Sequence, residues 1–202
     1  MKFLNKFKLL VVTFLLSNCT NIDLTYIDVV RESFNKSEID NLKPFEDTGL
    51  SFVRISKGRN QAIFILESFK NGFSKWVGSS GEEIITYKGL IVQTTSLDFN
   101  IKFHNLKEIQ EKLLEEDFRS YASIDNPAAN YLVASFKKIK TSSVKKASEC
   151  INHQVYFYQI SLLEIKDTST VQFCINKDGL EKYSKQKIHP RDEIISMEFF
   201  YQ

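Results

Sequence analysis

Residues 75–98 read KWVGSSGEEIITYKGLIVQTTSLD, and this stretch decides the fold class that the rest of the sequence extends. It contains the chain's one tryptophan, Trp76, followed by two runs rich in β-branched residues, 84–87 and 90–95. Lys88 and Gly89 separate the runs, and glycine supplies the positive φ that a tight hairpin turn needs. The stretch holds no arrangement of nucleophile, base and oxyanion donor. It therefore predicts a β-hairpin that serves as scaffold.

Composition indicates one mainly β domain. The 202 residues suffice for a single domain, and the 17 Phe and 8 Tyr are residue types that favour pleated, half-buried surfaces. The 27 Lys and Arg nearly balance the 25 Asp and Glu. The sequence thus lacks the clustered basic excess of a nucleic-acid-binding protein, and we expect no nucleic-acid partner. Beyond the N-terminus there is no uncharged apolar segment of membrane-spanning length.

The N-terminus has the pattern of an export signal. Basic residues Lys2, Lys6 and Lys8 precede an apolar run, 9–16, that is too short to span a bilayer. The run ends in Leu16-Ser17-Asn18-Cys19, which resembles a bacterial lipobox, although Asn18 departs from the usual small residue. We interpret residues 1–18 as a lipoprotein signal peptide. An ordinary signal peptide with an incidental cysteine is the alternative.

Lipidation of Cys19 would anchor the mature chain to a membrane, because more than one acyl chain gives stable rather than transient binding. Residues 19–25 then form the lipidated cysteine and a polar tether. Thr20 follows Cys19 where a sorting signal for the inner membrane would have Asp. By resemblance to those sorting rules, we expect the bacterial outer membrane, with the body facing the periplasm.

Two cysteines remain, Cys150 and Cys174. An exported chain matures in an oxidising compartment, so an even pair there is a candidate disulfide. Two buried free thiols are the alternative, since spacing alone does not fix geometry.

Residues 26–202 are predicted to form one mainly β domain. Apolar spacing predicts two short helices, 26–34 and Leu106–Asp117, and polar residues predict a loop over Tyr121–Asn130. Period-2 alternation and turn signals predict about ten strands, in an antiparallel, twisted sheet that closes toward a barrel or sandwich. The later predicted strands are 131–139, 154–165, 170–175, 180–186 and 193–201, and Ser96–Phe103 is the last strand before the second helix.

Chemistry-bearing residues form no pattern that predicts a catalytic or metal site. His104, His153 and His189 lack metal-ligand spacing, so we expect no metal and no cofactor. The acidic groups Glu82-Glu83 and Glu115-Glu116-Asp117 supply the residue type that glycosidases use in pairs. Adjacent acids at turns and helix ends are more often solvated charge. We therefore expect no catalytic residues.

Two groups are candidates for glycan or partner contact. Trp76 and Tyr87 are aromatic side chains that could stack on sugar rings, although a core position is the commoner role of a tryptophan. Lys137 and Lys138 begin a small basic cluster that would suit anionic headgroups or an acidic polysaccharide. A solvated strand edge is the alternative for these lysines.

The order of these features resembles the YjbF/GfcB-type lipoproteins, the group 4 capsule polysaccharide lipoprotein family. The resemblance rests on five segments, which are Cys19-Thr20, VVRESF at 29–34, SKW at 74–76, ITYKGLIVQTTSLD at 85–98 and QFCINKDGLEKYSKQ at 172–186. Lys88 stands where the family commonly has Asn before Gly. The resemblance implies a non-enzymatic accessory or structural lipoprotein of capsule or exopolysaccharide assembly or export. Its implied partners are other polysaccharide-export proteins and polysaccharide.

Three classes of function are therefore compatible with the sequence. An accessory lipoprotein would have a filled core and an exposed apolar patch. A lipid- or glycan-binding module would use a large cavity in a half-open barrel. A hydrolase would present a cleft with two converging carboxylates.

Overall fold

A computed structural model describes residues 41–125, 129–139, 149–159, 164–187, 189 and 192–202. The signal peptide, Cys19, the tether and the helix predicted over 26–34 lie outside these residues. The described elements are α1 (Lys43–Glu46), β1 (Phe52–Lys57), β2 (Asn60–Lys70), β3 (Phe73–Val77), β4 (Glu83–Tyr87), β5 (Leu90–Thr95), β6 (Ile101–Phe103), α2 (Leu106–Lys112), β7 (Phe118–Ile124), β8 (Ala129–Ile139), β9 (Glu149–Gln159), β10 (Glu164–Ile175), β11 (Glu181–Lys187) and β12 (Ile194–Phe200). No helix of this described part is long and apolar enough to cross a membrane.

The twelve described strands form one closed antiparallel barrel in chain order, and β1 pairs with β12 to close it. The mainly β, antiparallel class is confirmed. The expectation of about ten strands in a barrel or sandwich is corrected to twelve strands in a barrel. Because the strands alternate in direction, their connections alternate between two ends. We call the end with α2 and the β4–β5 turn the lower end, and the end with the β1–β2 and β11–β12 connections the upper end.

One predicted loop is wrong. Residues 121–124 belong to β7, and β8 already begins at Ala129. Phe118, Ser120 and Ala122 are buried while Arg119 and Tyr121 are exposed, which is the alternation of a half-buried strand. The serine and alanine on the buried face hide this pattern in the sequence.

Other boundaries also shift. Leu106–Asp117 was predicted as one helix, but α2 ends at Lys112, and the strand predicted over Ser96–Phe103 is reduced to Ile101–Phe103. Asn100 causes the second change, because its side chain accepts a bond from Leu97 N at 3.0 Å and donates to Leu97 O at 2.9 Å. These local bonds replace a strand ladder with a turn. The single strand predicted over 154–165 is divided between β9 and β10.

The predicted hairpin forms, and its turn touches the opposite wall of the barrel. Lys88 and Gly89 both have positive φ, 50° and 86°. A Cβ at position 89 would lie only 3.2 Å from Phe173 Cβ and 3.5 Å from Ser184 Cβ. Gln186 completes the contact by donating to Gly89 O at 2.7 Å and accepting from Ile91 N at 2.9 Å. The barrel is therefore filled at this level.

A smaller apolar cluster lies on the outside of the barrel. Phe45 of α1 packs over Phe52, Ile63 and Ile65 of β1 and β2. The rings of Phe45 and Phe52 are 5.7 Å apart. This contact fixes the described N-terminal segment against the barrel wall.

Candidate functional site: an upper cavity and an outer groove

The aromatic candidates do not form a sugar-stacking platform. Trp76 is fully buried, and its Nε1 donates to Thr86 Oγ1 at 3.0 Å. Its ring packs against Phe199 and Tyr201, at 5.4 and 5.8 Å between centroids. Tyr87 is half-buried, and its hydroxyl donates to Gln110 O at 3.3 Å. The contact role considered for Trp76 is corrected, since no ligand can reach a side chain inside the core.

The two lysine candidates are exposed but point to different places. Lys138 Nζ donates to Leu114 O at 2.6 Å, and its backbone N donates to Asp117 Oδ1 at 2.7 Å. Lys137 Nζ instead lies 5.5 Å from the centroid of the Tyr156 ring. Side chains of adjacent strand residues point to opposite faces, so these two lysines do not form one basic patch.

The acidic candidates are also separated. Glu82 Oε2 accepts from Ser80 N at 3.0 Å in the β3–β4 turn, and Glu83 pairs with Lys75 at 2.7 Å. Glu115 and Glu116 follow α2 at the other end of the barrel and are exposed. Each group forms local contacts, and the two groups do not converge on one cleft.

A buried acid that the sequence analysis missed lies inside the barrel. Glu181 is 3% exposed and accepts from the Tyr201 hydroxyl at 2.5 Å. Burial, with the nearby carboxylate, raises the pKa of Tyr201. Trp76 packs over Tyr201, so this pair is part of the core rather than of an open site.

The histidines do not meet. His104 Nε2 lies 3.2 Å from Ser123 Oγ, His153 Nε2 lies 2.8 Å from Leu113 O, and His189 Nε2 lies 2.8 Å from Asp125 O. Among the described residues, no group of three or more His, Cys, Asp or Glu is placed to hold a metal ion.

The two later cysteines are joined. Cys150 and Cys174 lie opposite each other in the β9–β10 register and form a disulfide with an S–S distance of 2.04 Å. The bond spans the lower ends of these strands, away from both features described next.

The first of these features is a small cavity of about 190 Å³ in the mouth of the barrel at its upper end, which we call the upper cavity. Ile55, Phe64 and Ile84 contribute apolar lining, and Glu82 and Asp98 add acidic groups. Pockets for drug-sized ligands are generally about 300–1,000 Å³. The upper cavity is therefore smaller than the large apolar cavity expected of a lipid carrier.

Two loops cover this mouth. Phe99 of the β5–β6 loop stacks on His189 at 4.8 Å, and Lys57 Nζ lies 5.6 Å above the Phe99 ring. Lys57 also pairs with the buried Asp192 at 2.6 Å. Asp125 ties the β5–β6 loop to β7. Its burial opposes ionisation, but hydrogen bonds from Asn100 and the charge of His189 lower the pKa of the Asp125 carboxyl.

The second feature is an outer groove of about 840 Å³ beside β10 and β11 at the upper end. Most of its lining residues have polar side chains, and the lining consists of Gly58, Asn152, Gln154, Thr168, Ser169, Thr170, Gln172, Lys185, Lys187, Asp192, Glu193 and Ile194. This groove was not predicted from the sequence. The one available signal was a run of polar residues at every second position of β9 and β10, which also describes any solvated strand face.

Comparison with known proteins adds a likeness in fold. No protein-family model matches the chain, and no curated protein matches it. The chain is similar in structure to the hypothetical lipoprotein YmcC from Escherichia coli (K12), with a TM-score of 0.62 and 13% sequence identity. The alignment covers 91% of this chain and 96% of that chain. At this identity the likeness shows a shared fold.

Proposed function

We propose that this chain is a lipoprotein, anchored through Cys19 to the bacterial outer membrane with its barrel facing the periplasm. Its proposed role is that of a non-enzymatic accessory component of capsule or exopolysaccharide assembly or export. The observation that carries the proposal is the fold shared with a hypothetical lipoprotein over nearly the full length of both chains. The apolar segment ending at Cys19 supports it independently.

The shape of the barrel supports contact as the mode of action. The interior is occupied by packed side chains from Trp76, Phe136, Phe173 and their neighbours, and the β4–β5 turn touches the opposite wall. The acidic groups considered for hydrolysis face different ends of the molecule. Surfaces, above all the outer groove, are therefore the parts of the described barrel that other molecules can reach.

The anchor is tested by the substitution Cys19→Ser. Loss of the acyl chains should move the protein from the membrane fraction to the soluble periplasmic fraction. Metabolic labelling with a fatty acid checks the same point directly. Absence of label on the wild-type protein would contradict the anchor.

The role is tested by deletion and complementation. Deletion should reduce surface polysaccharide, and wild type should restore it. Glu82→Gln, Glu83→Gln and Glu115→Gln should restore it equally well, because these acids have structural or solvated roles. A purified protein that cleaves polysaccharide, and loses this activity in one folded carboxylate variant, would overturn the proposal in favour of a hydrolase.

A further inference from the structure

The outer groove begins where two neighbouring strands separate. Pairing between β9 and β10 extends from Ile175 up to Glu164. Pairing between β10 and β11 extends only from Ile175 to Gln172, which lies opposite Lys185. Among the described strands, β10 thus has β9 as its only partner over residues 164–171. The wall of the barrel opens at this point, and the outer groove occupies the opening.

Polar side chains form a regular array on the wall of this groove. The register places Gln154 opposite Thr170, and Asn152 opposite Gln172, on the face away from core residues such as Val171. Side chains on one face of a strand repeat about every 7 Å, and neighbouring strands are about 5 Å apart. Amides and hydroxyls at such intervals can donate hydrogen bonds to, and accept them from, a chain-like ligand in which nearly every repeating unit carries a hydroxyl group.

Some of these polar groups are already held in place. Asn152 is buried, and its Oδ1 accepts from Gln172 Nε2 at 2.9 Å, so the floor of the groove is ordered before any ligand arrives. Ser169 also lines the groove, but its position opposite the buried Val155 places its side chain on the inner face of β10, where its Oγ has no hydrogen-bond partner among the described residues.

The charges of the groove favour a ligand with anionic groups. Lys185 and Lys187 project from β11 into the lining. Of the two acids there, Asp192 pairs with Lys57 at 2.6 Å, and the other charges of the lining are the two β11 lysines and the exposed Glu193. A lysine ammonium forms its strongest hydrogen bonds with carboxylate or phosphate oxygens.

We propose that the outer groove binds an acidic oligosaccharide, with the amides and hydroxyls of β9 and β10 contacting sugar hydroxyls and Lys185 and Lys187 contacting carboxylates. The choice of a saccharide rests on the proposed function in polysaccharide assembly. The groove supplies the position of the site and the charge of the ligand. Ile194 is the one large apolar side chain in this lining, so the groove offers little apolar contact to the side chains of a peptide strand added at the β10 edge.

Isothermal titration calorimetry of the full-length lipoprotein, in micelles of an uncharged polyethylene-glycol detergent, tests this proposal. The probes are a galacturonic acid hexamer, maltohexaose as a neutral saccharide, and hexaglutamate as an acidic peptide. The galacturonic acid hexamer should bind saturably. The other two probes should bind at least about tenfold more weakly, because maltohexaose lacks the carboxylates and hexaglutamate lacks the sugar hydroxyls. The double variant Lys185→Gln/Lys187→Gln should weaken binding of the hexamer by about tenfold or more.

The matched control is Lys102→Gln/Lys182→Gln, which makes the same charge change at two exposed lysines outside the groove. It should bind the hexamer as wild type does. Thr170→Glu, at an exposed position of β10, should abolish binding by placing a carboxylate in the groove without disturbing the fold. No saturable binding of the hexamer, equal binding of hexaglutamate, or unchanged affinity in the Lys185/Lys187 variant would overturn the inference.

The two proposals fail in distinguishable ways. If the hexamer does not bind but deletion still reduces surface polysaccharide, the proposed ligand of the outer groove is wrong and the proposed function stands. If the hexamer binds but deletion leaves surface polysaccharide unchanged, the proposed ligand of the outer groove stands and the proposed function is wrong.

Discussion

His153 shows at the scale of one residue how the core limits charge. Its Nε2 lies 2.8 Å from Leu113 O, and its Nδ1 has no partner among the described residues. The ring stacks on Phe173 at 5.8 Å and meets Phe136 edge-on. Burial lowers the pKa of His153, because an enclosed imidazolium would lose its hydration, although the Leu113 carbonyl favours the charged form. The folded protein therefore holds this side chain neutral.

A pH dependence of stability follows. With a lowered pKa in the folded state, the unfolded chain binds more protons once the pH falls below the ordinary histidine value of about 6.5. The stabilisation is fully present above that value and is lost as the pH falls toward the folded-state pKa. Urea unfolding between neutral and mildly acidic pH should show this loss in wild type, and a smaller loss in His153→Gln. The substitution His104→Gln, at an exposed position, should leave the pH dependence of the free energy of unfolding as in wild type.

Trp76 shows how far sequence can assign one residue. A lone tryptophan in a β-rich stretch predicts burial, and the structure encloses it completely. The partner of its indole nitrogen, Thr86, lies ten positions away on the neighbouring strand, and that pairing depends on the β3–β4 register. The roles of Lys137 and Lys138 could not be assigned in this way. The two lysines are adjacent in the sequence, but they lie on opposite faces of β8 and make unrelated contacts.

At the scale of an element, the β4–β5 hairpin contacts the opposite wall of the barrel. Its turn approaches β10 and β11, and Lys88 Nζ donates to Gly179 O at 2.7 Å. The hydrogen bonds of Gln186 to Gly89 and Ile91 lie in the same interface. Gly89 is required both by its φ and by the closeness of Phe173.

Two glycine substitutions separate these requirements. Gly89 and Gly81 have nearly equal positive φ, 86° and 87°. A Cβ at 81 would have nothing within 4 Å, whereas a Cβ at 89 would press on Phe173. Gly81→Ala should cost only the backbone strain, about 1–2 kcal/mol, and Gly89→Ala should cost more. Urea unfolding of both variants measures the difference, and equal losses would contradict the wall contact.

Elements with local signals could be predicted, and those without could not. The β4–β5 hairpin was predicted because Lys88-Gly89 marks its turn within the sequence. Strand β7 was missed because its buried face includes Ser120 and Ala122, which carry no apolar signal. The outer groove was beyond prediction, because it arises where β10 leaves β11, and no local residue pattern specifies that separation.

At the scale of the whole molecule, the Cys150–Cys174 disulfide restrains the longest hairpin of the barrel. It joins β9 and β10 across a sequence separation of 24 residues. Cross-linking a chain stabilises the fold mainly by reducing the freedom of the unfolded state. The bond also fixes the lower part of the β10 wall, above which the outer groove opens.

Removal of the bond should therefore be costly. The double variant Cys150→Ala/Cys174→Ala should lose about 3 kcal/mol in the free energy of unfolding, as the chain-entropy estimate gives for a loop of this length. Intact mass without reductant should show the wild-type chain two hydrogens lighter than after reduction. Two thiols open to alkylation in the native protein would contradict the bond.

The seam between β1 and β12 has a consequence for biogenesis. Arg54 and Glu198 form an ion pair across it at 2.6 Å, although 144 residues separate them in the chain. Such distant pairing makes folding slow, because the chain must close a long loop before the contacts form. While the chain is being synthesised, one edge of β1 stays unpaired until β12, the last strand of the barrel, has appeared. Unpaired strand edges favour aggregation, so the incomplete chain is more prone to aggregate than the closed barrel. A chain truncated before Ile194 would lack β12, and its sheet would have two unpaired edges, at β1 and β11, rather than close into a slightly smaller barrel.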